Sequence, residues 1–96
     1  MFDKMKQLME MKKQAEVLKK QLDAATVEVT KSRGIKIRIS GSQHFQSIEI
    51  EPELLKPENK ARFEQDLLTG LNAAIGESQK IAAAKMKDIM PGMPGF

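Results

Sequence analysis

The sequence predicts an α+β fold in which a three-stranded antiparallel β-meander lies between two long helices. The decisive observation is a strict alternation of β-branched and polar residues in three runs between positions 26 and 50. This alternation is the period of a strand with one buried face, and short breaks between such runs join antiparallel neighbours. The apolar positions are Val27, Val29, Ile35, Ile37, Ile39, Ile48 and Ile50.

Turn-forming residues occupy both breaks in the alternation. Lys31-Ser32-Arg33-Gly34 precedes the second run, and Ser40-Gly41-Ser42-Gln43 precedes the third. The other face of the meander carries charges of both signs: Glu28, Lys36, Arg38, Glu49 and Glu51. We expect Glu49, Glu51 and Glu53 to be cross-strand charge partners of Lys36 and Arg38.

Residues 3–25 are predicted to form the first helix. Good helix formers fill this segment, and neither proline nor glycine interrupts it. Apolar residues recur at spacings of three and four, which is a short heptad stripe that favours packing against another helix. The stripe consists of Leu8, Met11, Ala15, Leu18, Leu22 and Ala25.

The second helix is predicted to run from about Glu58 to Asp88 or Ile89. Pro57 and Glu58 are typical of a helix start, and the connector before them contains a single turn that Leu54 and Leu55 should hold in place. Gly70 and Gly76 inside the helix are interpreted as close-packing positions, with a kink as the alternative. The apolar and small face comprises Phe63, Leu67, Leu71, Ala74, Ile75, Ser78, Ile81 and Ala82.

The narrow stripe on the first helix also predicts how the two helices are placed. It favours a hairpin-like arrangement, in which the start of the first helix and the end of the second lie at the same pole.

Residues 1–89 are predicted to be a single domain and residues 90–96 a flexible tail, because the tail repeats Met-Pro-Gly. A chain of 96 residues with four Phe and neither Trp nor Tyr buries little core by itself. We therefore predict an obligate homodimer. Its interface is expected to be the apolar sheet face: Val27, Val29, Ile35, Ile37, Ile39, Ile48 and Ile50.

The sequence contains no recognisable set of catalytic residues. His44 is the only histidine and lies beside a turn, where an ordinary surface role is the simplest interpretation. There is no cysteine, hence no disulfide or thiolate metal site, which suits a reducing cytoplasm. We expect no enzyme activity, no cofactor, no metal site and no small-molecule substrate. No run is long enough for a membrane span, and the start lacks a secretory signal.

Charge is distributed unevenly along the chain. Residues 1–38 hold ten Lys/Arg against five Asp/Glu (net +5), residues 39–79 three against seven (−4), and residues 80–96 three against one (+2). Basic ends indicate a polyanionic partner. Because no base-reading motif is present, a DNA partner would be held through its phosphates. The candidate contacts are Lys4, Lys6, Lys12, Lys13, Lys19, Lys20, Lys80, Lys85 and Lys87.

Two simpler interpretations stay open beside the polyanion hypothesis. The lysines are also typical of a solvated helix exterior, where they would pair with Glu10, Glu16 and Asp23. The methionines at both ends of the chain could form an adaptable binding surface, but core filling between the two helices is the favoured interpretation.

Several segments resemble the YbaB/EbfC family of bacterial nucleoid-associated proteins. The best-defined segment is Ser47-Ile48-Glu49-Ile50-Glu51-Pro52-Glu53-Leu54-Leu55, followed by Pro57-Glu58-Asn59-Lys60. The Lys/Gln/Met-rich opening helix, Leu71-Asn72-Ala73-Ala74 and the Met-Pro-Gly tail are similar too. The turns at 31–34 and 40–44 differ, because the family's turns commonly hold more glycine.

The resemblance implies a tweezers-like homodimer with the sheets at the centre and the helices as arms. It also implies binding of double-stranded DNA with weak sequence preference, in the cytoplasm and associated with the nucleoid. The lysines of the first helix and of the end of the second would be the contacts. The alternative is a prefoldin-like chaperone or scaffold with Met-rich helix tips, which should expose apolar surface where a DNA-binding arm presents ammonium groups.

Overall fold

A computed structural model describes residues 2–89, with side chains from residue 3 onward, so the predicted tail at 90–96 lies outside the described residues. Helix α1 (Phe2–Ala24) leads into strands β1 (Thr26–Val29), β2 (Ile35–Ser40) and β3 (Phe45–Ile50). Two 3-10 turns, Pro52–Leu54 and Pro57–Asn59, then precede helix α2 (Lys60–Ile89). The predicted order of helix, three strands and helix is confirmed.

The three strands form one antiparallel sheet with β2 in the centre. Ile37 lies between Val29 of β1 and Ile48 of β3, so the alternating apolar residues share one face, as the period predicts. A register irregularity between Arg38 and Ile39 brings Phe45 opposite Ile39.

Helix α2 packs across β1 and β2 through a row of small residues. Gly70, Ala74 and Ser78 are four positions apart and therefore lie on one side of the helix, and all three are buried. A Cβ atom on Gly70 would lie 3.0 Å from Cδ1 of Ile37, a side chain with no exposed surface. Small side chains thus let the helix backbone approach the centre of the sheet, which makes Gly70 a close-packing position as predicted.

Two buried serines attach the sheet to α2 near the two ends of the contact. Ser32, in the turn before β2, donates from Oγ to the carbonyl oxygen of Asp66 at 2.6 Å. Ser78 of α2 donates from Oγ to the carbonyl oxygen of Ser40 at 2.7 Å. Because both hydroxyls are satisfied, their burial costs little, and together they set the position of α2 along the sheet.

The two hairpin turns use left-handed backbone conformations. Gly34 has φ +84°, and a Cβ there would lie only 2.7 Å from Cδ1 of Leu54. Gln43 has φ 66° between β2 and β3, where glycine is more usual. Hydrogen bonds among Ser40, Ser42 and His44 support this second turn, and His44 is exposed, as expected of an ordinary turn histidine.

Two predictions about packing were wrong. Gly76 is not a close-packing position, because a Cβ at this site would meet no atom within 4 Å. Leu55 does not hold the connector in place, since it is 60% exposed; only Leu54 is half-buried, beside the core.

Helix α1 is attached to the rest of the chain at its C-terminal end. The backbone N–H of Gly41, in the turn after β2, donates to the carbonyl oxygens of Leu22 (3.0 Å) and Ala25 (2.8 Å). These are carbonyl groups that the end of the helix leaves without an intrahelical partner. Gly41 also lies against the side chains of Leu22 and Ile81, so α1 meets α2 there.

The rest of α1 projects away from the sheet. Leu18 and Leu22 are its only half-buried residues from position 3 onward, and the others are exposed. The protein measures 67 × 21 × 17 Å, so helices of about 35 and 45 Å must both lie along its length. Since Leu22 and Ile81 are close and residues 3–17 do not pack on the sheet, the start of α1 and the end of α2 point the same way. This agrees with the predicted hairpin-like arrangement.

The two glycines of α2 give a matched test of the packing. Gly76→Ala should raise the free energy of unfolding by about 1 kcal/mol, because it improves helix propensity and meets open space. Gly70→Ala should lower it, because the new methyl group would crowd Ile37 in the core. Urea denaturation of both variants measures the difference. An equal gain in both variants would show that α2 does not approach the sheet as described.

Candidate nucleic-acid interface

The six lysines of α1 are all exposed and carry unpaired charges. They are Lys4, Lys6, Lys12, Lys13, Lys19 and Lys20. Within the part of the chain whose side chains are described, the ion pairs closer than 4 Å all lie elsewhere. The simpler interpretation, in which these lysines pair with Glu10, Glu16 and Asp23, therefore does not describe the structure.

Three of these lysines form one row along the helix. Lys6, Lys13 and Lys20 are seven residues apart, so they lie within about 40° of one line at intervals of about 10.5 Å. This row is on the side of α1 opposite to Leu18 and Leu22, which face α2. Ammonium groups repeated along one exposed side of a helix are suited to contacts with several phosphates of a duplex.

The other lysines of α1 flank the apolar stripe. Lys12 and Lys19 form a second, shorter row about 100° from the first, and Lys4 lies in line with the stripe itself. The helix also carries four acidic residues, so its net charge is only +2. Phosphate binding by α1 would therefore depend on the placement of its lysines more than on net charge.

The lysines near the end of α2 are less available. Nζ of Lys80 lies 3.3 Å from Oε1 of Glu77, and Lys85 is half-buried. Lys87 is exposed, and Asp88 follows it. The structure thus brings the lysine-bearing ends of both helices to the same pole, but α1 supplies most of the free charge.

The basic residues of the sheet are paired with acids across the strands. Nζ of Lys36 lies 3.7 Å from Oε2 of Glu49, and Nη2 of Arg38 lies 3.1 Å from Oε1 of Glu28. The two residues of each pair are directly opposite in the strand register. The predicted cross-strand pairing is confirmed for Lys36 with Glu49. Arg38 pairs instead with Glu28 of β1, and the ion pairs of the described residues include neither Glu51 nor Glu53. This face of the sheet is close to neutral.

Sequence reasoning missed a second pair of basic residues in the turn between β1 and β2. Lys31 and Arg33 are exposed at the end of the sheet far from Gly41. Arg33 lines an open cleft of about 450 Å³ together with Lys36, Glu49 and Glu51. The nearby glutamates offset the positive charge, so the cleft does not form a strong anion site. Only the fold could bring Glu51 to this turn, where its N–H donates to the carbonyl oxygen of Gly34.

Among the described residues the methionines of α1 do not fill a core, so the favoured interpretation was wrong for them. Met86 of α2 is half-buried, and Met1, Met90 and Met93 lie outside the residues whose side chains are described. Met5, Met9 and Met11 are 64%, 63% and 56% exposed, and Leu8 beside them is 66% exposed. The first half of α1 therefore carries both free lysines and a large apolar surface.

The seven apolar residues predicted to form a dimer interface divide into two groups. Val29, Ile35, Ile37 and Ile39 are at most 8% exposed, because α2 of the same chain covers them. Ile48 is 45% exposed, and Val27 and Ile50 are half-buried. Phe45, which the prediction omitted, is 44% exposed. The surface left for a partner thus lies mainly along β3.

The described residues include neither a membrane-spanning helix nor a cluster of metal ligands. Neither α1 nor α2 in residues 2–89 has a stretch long and apolar enough to cross a membrane. No group of three or more His, Asp or Glu side chains in the same part of the chain is arranged to hold a metal ion.

Comparison with known proteins identifies the family. The model of the YbaB/EbfC DNA-binding family matches residues 1–93, which is nearly the whole chain. The chain belongs to the YbaB/EbfC DNA-binding family. It is 33% identical over 95 residues to a nucleoid-associated protein of Desulforamulus reducens, covering 96% of this chain and 90% of that protein.

Two further proteins are similar to this chain over more than nine tenths of its length. A nucleoid-associated protein of Chloroflexus aurantiacus is 29% identical over 93 residues, which are 96% of this chain and 93% of that protein. A crystal structure of an uncharacterized protein from Helicobacter pylori has the same fold, with a TM-score of 0.68 and 21% identity over 93% of this chain and 91% of that one. The family is known for DNA binding, not for enzyme activity.

Proposed function

We propose that the protein binds double-stranded DNA as a homodimer, that it does so chiefly through phosphate contacts from the lysines of α1, and that it is located at the nucleoid in the cytoplasm. Family membership supports DNA binding in general. Curated relatives that match over most of their length are named nucleoid-associated proteins.

The observation that carries the proposal is the row formed by Lys6, Lys13 and Lys20, with Lys12 and Lys19 beside it. These ammonium groups are exposed and have no carboxylate within 4 Å among the described side chains. Binding to phosphates releases the counterions condensed on DNA, which favours the complex without reference to base sequence. Weak sequence preference therefore follows from the same arrangement.

We place the proposed homodimer interface along β3, at the edge of the sheet. This strand is at the edge of the sheet, and α2 packs on β1 and β2 instead, so Phe45 and Ile48 remain exposed on a strand with unpaired backbone groups. Proteins seldom leave such an edge open, because it pairs readily with another chain. A two-fold dimer would also double the number of lysines available to one duplex.

The chaperone hypothesis is supported by one observation, the exposure of Met5, Leu8, Met9 and Met11. Apolar surface and ammonium groups occur together on the first half of α1, so exposure alone does not separate the two functions. Salt dependence does, because phosphate binding weakens steeply with salt whereas burial of apolar surface does not.

Binding to duplex DNA should fall steeply as salt rises. If about six phosphates are neutralised, the slope of log affinity against log salt is near −5, and affinity falls roughly a thousandfold between 50 and 200 mM salt. Replacing Lys12 and Lys13 by alanine removes four charges from a dimer and should flatten the slope. The measurement is fluorescence anisotropy with two unrelated duplexes over a salt series.

The affinity of that variant should fall by the same factor for both duplexes, since contacts between lysines and phosphates do not depend on the base sequence. A slope near zero for the wild type would contradict the electrostatic proposal. A large difference between the duplexes would reveal a base-reading element elsewhere.

The double variant Lys36→Ala, Arg38→Ala is the matched control. It also removes two positive charges per chain, but these charges are already opposed by Glu49 and Glu28. We expect affinity and salt slope close to those of the wild type. If this folded variant lost most of its affinity, the DNA-binding surface would be the sheet and not α1.

Ile48→Glu should dissociate the homodimer at micromolar concentration, because it places a charge on the surface proposed to be buried between two copies. Leu55→Glu is the control, since Leu55 is similarly exposed but lies outside the sheet. Analytical ultracentrifugation of both variants tests the interface. A wild-type protein that sediments as a folded monomer would refute the dimer itself.

A further inference from the structure

The first half of α1 carries an apolar stripe that nothing in the described structure covers. Leu8, Met11 and Ala15 continue the line of Leu18 and Leu22, but only the latter two pack against the rest of the chain. A helical segment of this length has little stability by itself in water. The exposed part of the stripe continues the line of the part that packs against α2. It therefore points to a further contact with a helix.

We propose that residues 4–15 of α1 dock in antiparallel orientation on the same residues of a second copy, and that this contact joins two separately DNA-bound molecules. The docking depends only on the residues of α1. The consequence for DNA rests on the proposed function.

The stripe is complementary to itself when it is reversed. In an antiparallel pair with two-fold symmetry, Leu8 lies opposite Met11 of the second copy, and Met11 opposite its Leu8. The long aliphatic stem of Lys4 then lies beside the small side chain of Ala15, and its ammonium group reaches solvent. Each Ala15 thus meets a long side chain, while the two layers of Leu8 and Met11 fill the centre of the contact.

The residues that flank the stripe fit the same orientation. Gln7 and Gln14 lie on one side of it, and Met5 and Lys12 on the other. Reversal brings Gln7 opposite Gln14 of the second copy, where two amides can exchange hydrogen bonds. It also brings Met5 opposite Lys12 of the second copy, so no two like charges face each other.

A parallel pair fits less well. It would place Lys4 against Lys4 of the second copy, which is a like-charge contact within the seam. It would also place Ala15 against Ala15 and leave a gap between the helices. Neither defect is present in the antiparallel register, so the antiparallel orientation is the favoured one.

The docked surface leaves the main lysine row free. Lys6, Lys13 and Lys20 lie on the opposite side of α1 from Leu8 and Met11. A single helix can therefore contact phosphates on one side and a second copy on the other. This arrangement predicts that the protein holds two duplexes together rather than only coating one.

The contact should be weak in free solution. It covers fewer than two heptads, whereas a stable coiled coil takes about three to four. Molecules bound to DNA are locally concentrated, and a weak contact is then occupied much more often. Bridging should consequently appear at protein concentrations where the unbound arms remain apart.

Cysteine cross-linking tests the docking without DNA, because the sequence contains no cysteine of its own. A tagged Leu8→Cys chain is mixed with an untagged Met11→Cys chain at high protein concentration, under mild oxidation. The expected result is a mixed disulfide between positions 8 and 11 that forms at least about tenfold faster than in a Leu8→Cys and Glu10→Cys mixture. Glu10 is equally exposed but lies away from the stripe.

The alternatives give different products. Faster formation of 8–8 and 11–11 disulfides would indicate a parallel pair and overturn the proposed register. A rate independent of protein concentration would mean that the arms meet within one dimer, which overturns the joining of separate molecules. Equal rates for the position 10 control would refute docking altogether.

A bridging assay tests the consequence for DNA. The double variant Leu8→Gln, Met11→Gln keeps good helix formers and every lysine, so its affinity and salt slope for a single duplex should match the wild type. It should lose most of the ability to capture a labelled free duplex on beads that carry another duplex. Full capture by this variant would refute the proposal.

Two other outcomes separate this inference from the proposed function. If the wild type bound no duplex, the proposed function would fail, while the cross-linking result would still decide the docking. If wild-type protein suppressed aggregation of reduced α-lactalbumin and the glutamine variant did not, the stripe would bind non-native chains, and docking of a second copy would be rejected.

Discussion

The close approach of α2 to the centre of the sheet is the contact on which the rest of the structure depends. Gly70, Ala74 and Ser78 let the helix backbone lie against Ile37 and its neighbours, which become the buried core of a chain with few aromatic side chains. The hydroxyl groups of Ser32 and Ser78 then set where α2 lies along the strands. The close packing of the small residues and the hydrogen bonds of the two serines both require the same position of α2, so this contact specifies one arrangement of sheet and helix.

That arrangement also determines what the protein presents to partners. Because α2 lies over β1 and β2, the outer strand β3 keeps Phe45 and Ile48 exposed. Among the described residues, α1 is attached near Leu18 and Leu22, through Gly41 and the side of α2, so its first half extends beyond the sheet. The proposed contacts between copies use these two surfaces, an edge strand and a projecting helix.

The projecting helix α1 has a basic side and an apolar side. One side carries the row of Lys6, Lys13 and Lys20, and the other carries Leu8 and Met11. The ammonium groups on one side are suited to the phosphates of DNA, as expected in a DNA-binding family. The apolar side chains on the other side are suited to packing against a second helix. A single helix with both properties is what the proposed joining of DNA-bound molecules requires.

The sequence by itself determined the elements, the pairing of the strands and the neutral outer face of the sheet. Alternation and turn residues report local conformation, so the sequence predicted that Val29, Ile37 and Ile48 share one face and that Glu49 is a cross-strand partner of Lys36. Only the tertiary structure decided that α2 leaves β3 uncovered, that Gly76 faces open space and that the methionines of α1 are exposed. The reason is that periodicity shows which residues share a face, whereas the relative placement of whole elements decides what covers that face.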